Sequence, residues 1–177
     1  TVSGGIYSAS TATQTLNGGL TISSGTFTGS SGDVDVNGAF TLSGGTFTAP
    51  TTISISGDLT VSGTPTFTEG TGTITLDGGA TAIDVVTNET LNNLTINSTG
   101  AKTVAASDTL IVTGTLTLTD GSVNQTTVPA GGTLAARAAI SVASTFDGGT
   151  GLLLVDGSDG QTLTGGGSAT AGDLMDL

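Results

Sequence analysis

Few of the 177 residues can do acid–base or metal chemistry. There is no His and no Cys, and the only cationic side chains are Lys102 and Arg137. That leaves carboxylates. Asp33 and Asp35 are two apart, so in an extended segment they face one side, and a glycosidase needs two such groups converging on one bond. Without a positioned partner they read as solvated turn residues. Asp156 and Asp159, in Asp-Gly-Ser-Asp-Gly, offer oxygen atoms in a tight loop, and Asp77 can stack beside a carboxylate of a neighbouring repeat. These three are the candidates for a structural Ca²⁺, a hard cation that takes oxygen ligands. Neither an EF-hand loop nor the calcium-binding nonapeptide is present. No catalytic residue is assigned, no other cofactor is expected, and the chain reads as non-enzymatic.

Composition says what must position these residues. Thr occurs 38 times, Ser 18 and Gly 30. That vocabulary forms strands and turns, and no window carries a helical apolar period. The net charge of −12 argues against nucleic acid, which is held through Lys and Arg. It also argues against acidic lipid surfaces. No apolar run approaches the roughly 18 residues of a membrane span, so no membrane insertion is expected.

The chain repeats. Tyr7, Phe27, Phe47 and Phe67 follow one another at a constant interval, each flanked by Thr or Ser or, at Tyr7, by Ile6 and Ser8. Leu20-Thr21-Ile22, Phe40-Thr41-Leu42 and Leu59-Thr60-Val61 form a second series. Val34-Asp35-Val36, Ile53-Ser54-Ile55 and Ile74-Thr75-Leu76 form a third. Three short alternating segments per roughly 20 residues, each closed by Gly, Asn or Asp, are one coil of a solenoid. A lone coil can neither bury its apolar side nor pair its backbone, and stacked coils do both. The expectation is an all-β fold: a single right-handed parallel β-helix spanning residues 1–177, with eight or nine coils. Tyr7, Phe27, Phe47 and Phe67 should form a core stack, with the three phenylalanines buried. The chain starts and stops at arbitrary points within the repeat, so it is expected to be a segment of a longer chain or a stacking subunit.

Residues 92 to 124, "NNLTINSTGAKTV…DTLIVTGTLTLTDGSVN", and 144 to 165, "STFDGGTGLLLVDGSDGQTLTG", resemble the repeats of large bacterial surface β-helix proteins, the haemagglutinin-like and autotransporter-like exoproteins. The resemblance implies a parallel β-helix, an extracellular or cell-surface location, and roles in adhesion or surface architecture. It carries over no catalytic residue.

Two surface features bear on function. Thr26-Phe27-Thr28, Thr46-Phe47-Thr48, Thr66-Phe67-Thr68 and Thr117-Leu118-Thr119 are expected to place paired threonines on one outward face in several coils, an arrangement suited to ordering an ice surface. Thr71–Gly78 aligns with Thr150–Gly157, which sets Leu153 and Val155 inward and Leu152 and Leu154 outward, where threonines stand in the first copy. Either the segment 122–149 folds back over these leucines, or they form a lateral interface to which Ile6 contributes from its own outward slot. The favoured reading is a structural filament, sheath or stalk element whose partners are copies of itself, head-to-tail and lateral. An adhesin segment that binds a host or carbohydrate ligand is the alternative, and an ice-binding protein the third.

Overall fold

The computed structural model describes residues 1–125, 131–158 and 160–165. Nineteen strands follow in chain order: β1 (Val2–Ser8), β2 (Gln14–Leu16), β3 (Leu20–Thr28), β4 (Val34–Val36), β5 (Phe40–Leu42), β6 (Thr46–Thr48), β7 (Thr52–Ile55), β8 (Leu59–Val61), β9 (Thr66–Thr68), β10 (Thr73–Leu76), β11 (Thr81–Asp84), β12 (Asn88–Leu91), β13 (Asn93–Val104), β14 (Thr109–Val112), β15 (Leu116–Gln125), β16 (Thr133–Ala136), β17 (Ile140–Val142), β18 (Leu152–Val155) and β19 (Leu163–Gly165). Among the described residues there is no helix, and every strand pair is parallel. The fold is a β-solenoid of about 7 turns, with coils of about 21 residues.

Three walls run along the column. The first is continuous through β2, β4, β7, β10, the start of β13, the start of β15, β17 and β19. The second stacks the start of β3, β5, β8, β11 and the ends of β13 and β15. The third comes in two pieces. The ends of β1 and β3 pair with β6 and β9, whereas β12, β14, β16 and β18 form a separate four-stranded sheet. The coil lengthens along the column: Leu20 pairs with Phe40, but Leu116 pairs with Ile140. The lengthening reduces the turn count below the eight or nine a constant 20-residue coil predicts.

Alternation does the sorting. In β7, Ile53 and Ile55 are buried while Thr52 and Ser54 stay half-buried on the outer face. Corners need glycine where coils come close. Gly5, Gly25 and Gly45 stack with φ of 69°, 77° and 72°. A Cβ on Gly45 would lie 2.3 Å from the Gly25 carbonyl oxygen, so the position excludes a side chain on both counts.

The aromatic stack is in register. Ring centroids are 5.2 Å apart for Tyr7–Phe27, 5.4 Å for Phe27–Phe47 and 5.1 Å for Phe47–Phe67, and Phe40 meets Phe47 edge-on at 4.9 Å. Burial falls short of expectation at one of the three phenylalanines. Phe27 and Phe47 are fully buried, but Phe67 is only partly so, and Tyr7 is 41 % exposed. Tyr7 lies in β1, which pairs only with β3, and Phe67 faces the break in the third wall. Phe146, which sequence reasoning leaves outside the core, is fully buried and bridges to Gly121.

The described residues of the segment 122–149 belong to the coils and form no covering excursion. Residues 122–125 close β15, and β16 and β17 are coil strands like the others. The gapless alignment behind the leucine expectation joins different walls: β10 stands on the first and β18 on the third. Leu153 is buried as expected, but Val155, the last residue of β18, is 44 % exposed beside the hollow it lines with Leu154 and Leu163.

Candidate functional site

Among the described residues two carboxylates serve as strand caps. Asp58 Oδ1 accepts the Ala82 N–H at 2.8 Å, and Asp108 Oδ2 accepts the Val85 N–H at 2.8 Å. Each partner lies one coil away. Asn93 and Asn124 act alike, their Oδ1 atoms accepting from Thr115 N at 2.8 Å and Thr150 N at 2.9 Å. A short side chain at a corner thus meets a backbone donor that the irregular turn leaves without a ladder partner.

The two described calcium candidates, Asp77 and Asp156, do not converge. Asp77 follows β10, at the corner between the first and second walls. Asp156 follows β18 and pairs with Arg137 at 3.3 Å on the surface. Asp159 lies outside the described residues. No group of three or more potential metal-ligating side chains occurs among the described residues. Asp33 and Asp35 share an outward side as expected, with Asp35 in the outer file of the first wall between Thr15 and Ser54.

The corner at Asp77 holds the most polar part of the interior. Lys102, in the second-wall part of β13, points inward and is fully buried. Its Nζ donates to the Gly79 carbonyl at 2.7 Å and to the Gly78 carbonyl at 3.2 Å. The buried Ser98 Oγ lies 2.6 Å from Gly78 O and 2.7 Å from Gly100 O, and accepts from Gly100 N at 3.1 Å. Burial holds the Lys102 amine below the usual lysine range, against the opposing pull of Asp77 and Asp58. Two N–H groups of the amine meet two carbonyls, which offsets part of the cost of burying it. The side chain is enclosed and does not reach solvent.

Two outer faces remain as functional surfaces. On the first wall an outward file runs in register from Thr15 through Asp35, Ser54, Thr75 and Thr95 to Thr164. All its members but Asp35 carry hydroxyls. On the third wall Thr26, Thr46 and Thr66 form one file and Thr28, Thr48 and Thr68 a second. This double array ends at β9; Thr117, expected on the same face, stands instead in the first-wall file between Thr95 and Ser141.

Leu152 and Leu154 are 41 % and 44 % exposed, and Ile6 76 %. The leucines belong to β18 and Ile6 to β1, at opposite ends of the column, so the three do not form one patch. Leu154 instead joins Val155 and Leu163 around an apolar hollow floored by Ile140 and Leu153. The third-wall file Thr90, Ile111, Ala135, Leu154 makes the outer face of the second sheet more apolar than that of the first.

Sequence reasoning misses three residues: Lys102, Ser98 and Glu89. Lys102 is legible in its parity with Val104, since two residues apart on a strand share a face. Glu89 stands next in the inward file that carries the aromatic stack. Compared with protein-family models, curated proteins and solved structures, the chain matches nothing.

Proposed function

We propose that this chain is a structural element, a rod of stacked coils that serves in an extracellular filament, sheath or stalk and performs no catalysis. The observation that carries this reading is the first wall. Its ladder runs unbroken through eight strands, from β2 to β19, and its outer file carries a hydroxyl at every position but Asp35. The described carboxylates with hydrogen-bonded partners serve backbone donors or an ion pair, which fits a body built for stiffness. At ~4.8 Å per coil, about 7 turns make a rod roughly 34 Å long. Self-association belongs to this reading, end to end through the strand ladder and sideways through the leucine-bearing third wall. Negative-stain microscopy of the purified chain and of native material tests it. Filaments or laterally packed rods are expected, and dispersed single particles at high concentration would overturn it.

A second reading rests on the double threonine array of β3, β6 and β9, whose spacing along the column is that of the strands. An ice-binding face of this kind gives thermal hysteresis, lost in Thr46→Val with Thr48→Val. Absence of hysteresis removes this reading and leaves the first intact. The adhesin reading has less support, since Tyr7 is the one aromatic side chain that is exposed among the described residues.

A further inference from the structure

The third wall breaks between β9 and β12, and the residue at the break is a glutamate. Inward positions on this wall run Tyr7, Phe27, Phe47, Phe67 below the break and Glu89, Leu110, Leu134, Leu153 above it. Glu89 therefore takes the inward position that leucines hold in the next three coils, on the strand that follows that of Phe67 on this wall, and it is partly buried there. A carboxylate there would lose its water with no cation to replace it. Both side-chain cations of the chain are engaged elsewhere, Lys102 on the Gly78 and Gly79 carbonyls and Arg137 on Asp156.

The strand edges at the break are closed off locally. Thr66 N and Thr68 O bond down to the preceding coil, so the Phe67 N–H and C=O face upward, where no strand pairs among the described residues. On β12, Thr87 O and Leu91 O accept from the next coil, so the N–H groups of Asn88 and Thr90 face down toward the break. Asn88 N turns back to Val86 O at 2.6 Å, with Thr87 held at φ 62°. Thr90 N donates to the Glu89 carboxylate itself at 3.1 Å. Glu69, just after β9, is the other charged group acting on Glu89. From β14 the facing residue is Leu110, and Asp108 at its start is committed to Val85 N.

We propose that Glu89 is an acid-operated latch: charged, it keeps β9 and β12 apart, and protonated, it enters the core slot above Phe67 and lets the wall close. In the closed wall Thr90 N releases the carboxylate and donates to Phe67 O, while Phe67 N donates to Asn88 O, as the parallel ladder requires. The first and second walls already join the two coils through β7–β10 and β8–β11, so closing is a local zipping. Burial raises the Glu89 carboxyl above its ordinary value, and Glu69 adds to the rise against the lowering effect of the Thr90 N–H. The sign follows. The folded chain holds this proton more tightly than the unfolded one, so stability rises as pH falls from neutral through the folded value toward 4.5.

The test is residue-resolved amide exchange by NMR, scaled to intrinsic rates, across this pH range. Protection at Phe67 and Thr90 should increase together by about tenfold or more on acidification. Glu89→Leu places in this slot the residue type that fills the next three, and should be protected at both ends of the range. Glu69→Gln should move the midpoint toward 4.5. Unchanged protection in the parent chain overturns the latch. An unprotected Glu89→Leu overturns the claim that the carboxylate keeps the strands apart.

Discussion

Phe47→Ala tests the core most directly. Phe47 is fully buried, stacked on Phe27 at 5.4 Å and on Phe67 at 5.1 Å, and met edge-on by Phe40 at 4.9 Å. The backbone on all sides is fixed by ladder bonds, so the site relaxes little and the cavity persists. The expected loss is about 3–5 kcal/mol, of which each severed aromatic pair accounts for about 0.5–1.5 kcal/mol. Phe67→Ala should cost clearly less, because that ring is only partly buried, and Tyr7→Ala least of the three. Denaturant unfolding with the slope unchanged measures the series. Coils contact only their neighbours, so amide protection should fall first in β3, β6 and β9 and persist in β14, β16 and β18. Equal losses for Phe47→Ala and Phe67→Ala at neutral pH would refute the reasoning, since Phe67 would then be covered and the third wall already closed. A loss under about 1 kcal/mol at Phe47 would refute the stack itself.

Gly45→Ala should cost more than the roughly 1–2 kcal/mol of a left-handed alanine alone, because its Cβ also meets the Gly25 carbonyl; thermal unfolding reads this. Lys102 binds its proton less tightly folded than unfolded, so stability should rise with pH between its depressed folded value and 10.5. Lys102→Met should abolish that rise in pH-dependent denaturation, an assignment made clean by Lys102 being the only lysine. Leu152→Thr with Leu154→Thr should leave the melting temperature nearly unchanged, because threonines hold outward slots on most other strands. It should remove about 4 kcal/mol of apolar burial from any lateral contact, seen as a loss of side-by-side packing by sedimentation and microscopy.

How far the fold can be read in advance depends on which contacts are periodic. Phe27 and Phe47, Leu20 and Phe40, and Val34 and Ile53 repeat because each must fill the same slot one coil later, and that requirement writes the register into the chain. The rule weakens where coil length drifts. Thr73–Leu76 and Leu152–Val155 look alike because any inward–outward strand followed by a glycine turn looks alike; nothing local records which wall a strand joins. Val155 departs from its pattern for a related reason: its parity is inward like that of Leu153, but it ends its strand beside an open hollow, and parity does not record where cover stops. Phe146 is the converse case, an isolated bridge residue with no alternating neighbours to signal burial.

The polar interior is hidden for a different reason. Two of the described aspartates, Asp58 and Asp108, hold backbone donors of the adjacent coil, a role that depends on reach: a short side chain at a corner ends where the next coil's N–H begins. Glutamate is one methylene longer, and the chain has only two, Glu69 and Glu89: Glu69 follows β9, Glu89 lies in β12, and the charge of Glu69 acts on the Glu89 carboxyl. Glu89 folds back onto its own neighbour's N–H. In a chain this poor in charge, with both cations committed elsewhere, a carboxylate in a core slot has two stable courses: to hold the ladder apart and stay hydrated, or to take a proton and let it close. Burial among inward residues such as Leu110 favours the second course, and the Thr90 N–H favours the first. A sequence read one strand at a time cannot show Leu110 as a neighbour of Glu89, and the pairing becomes visible only when the aromatic file is followed past its last aromatic residue.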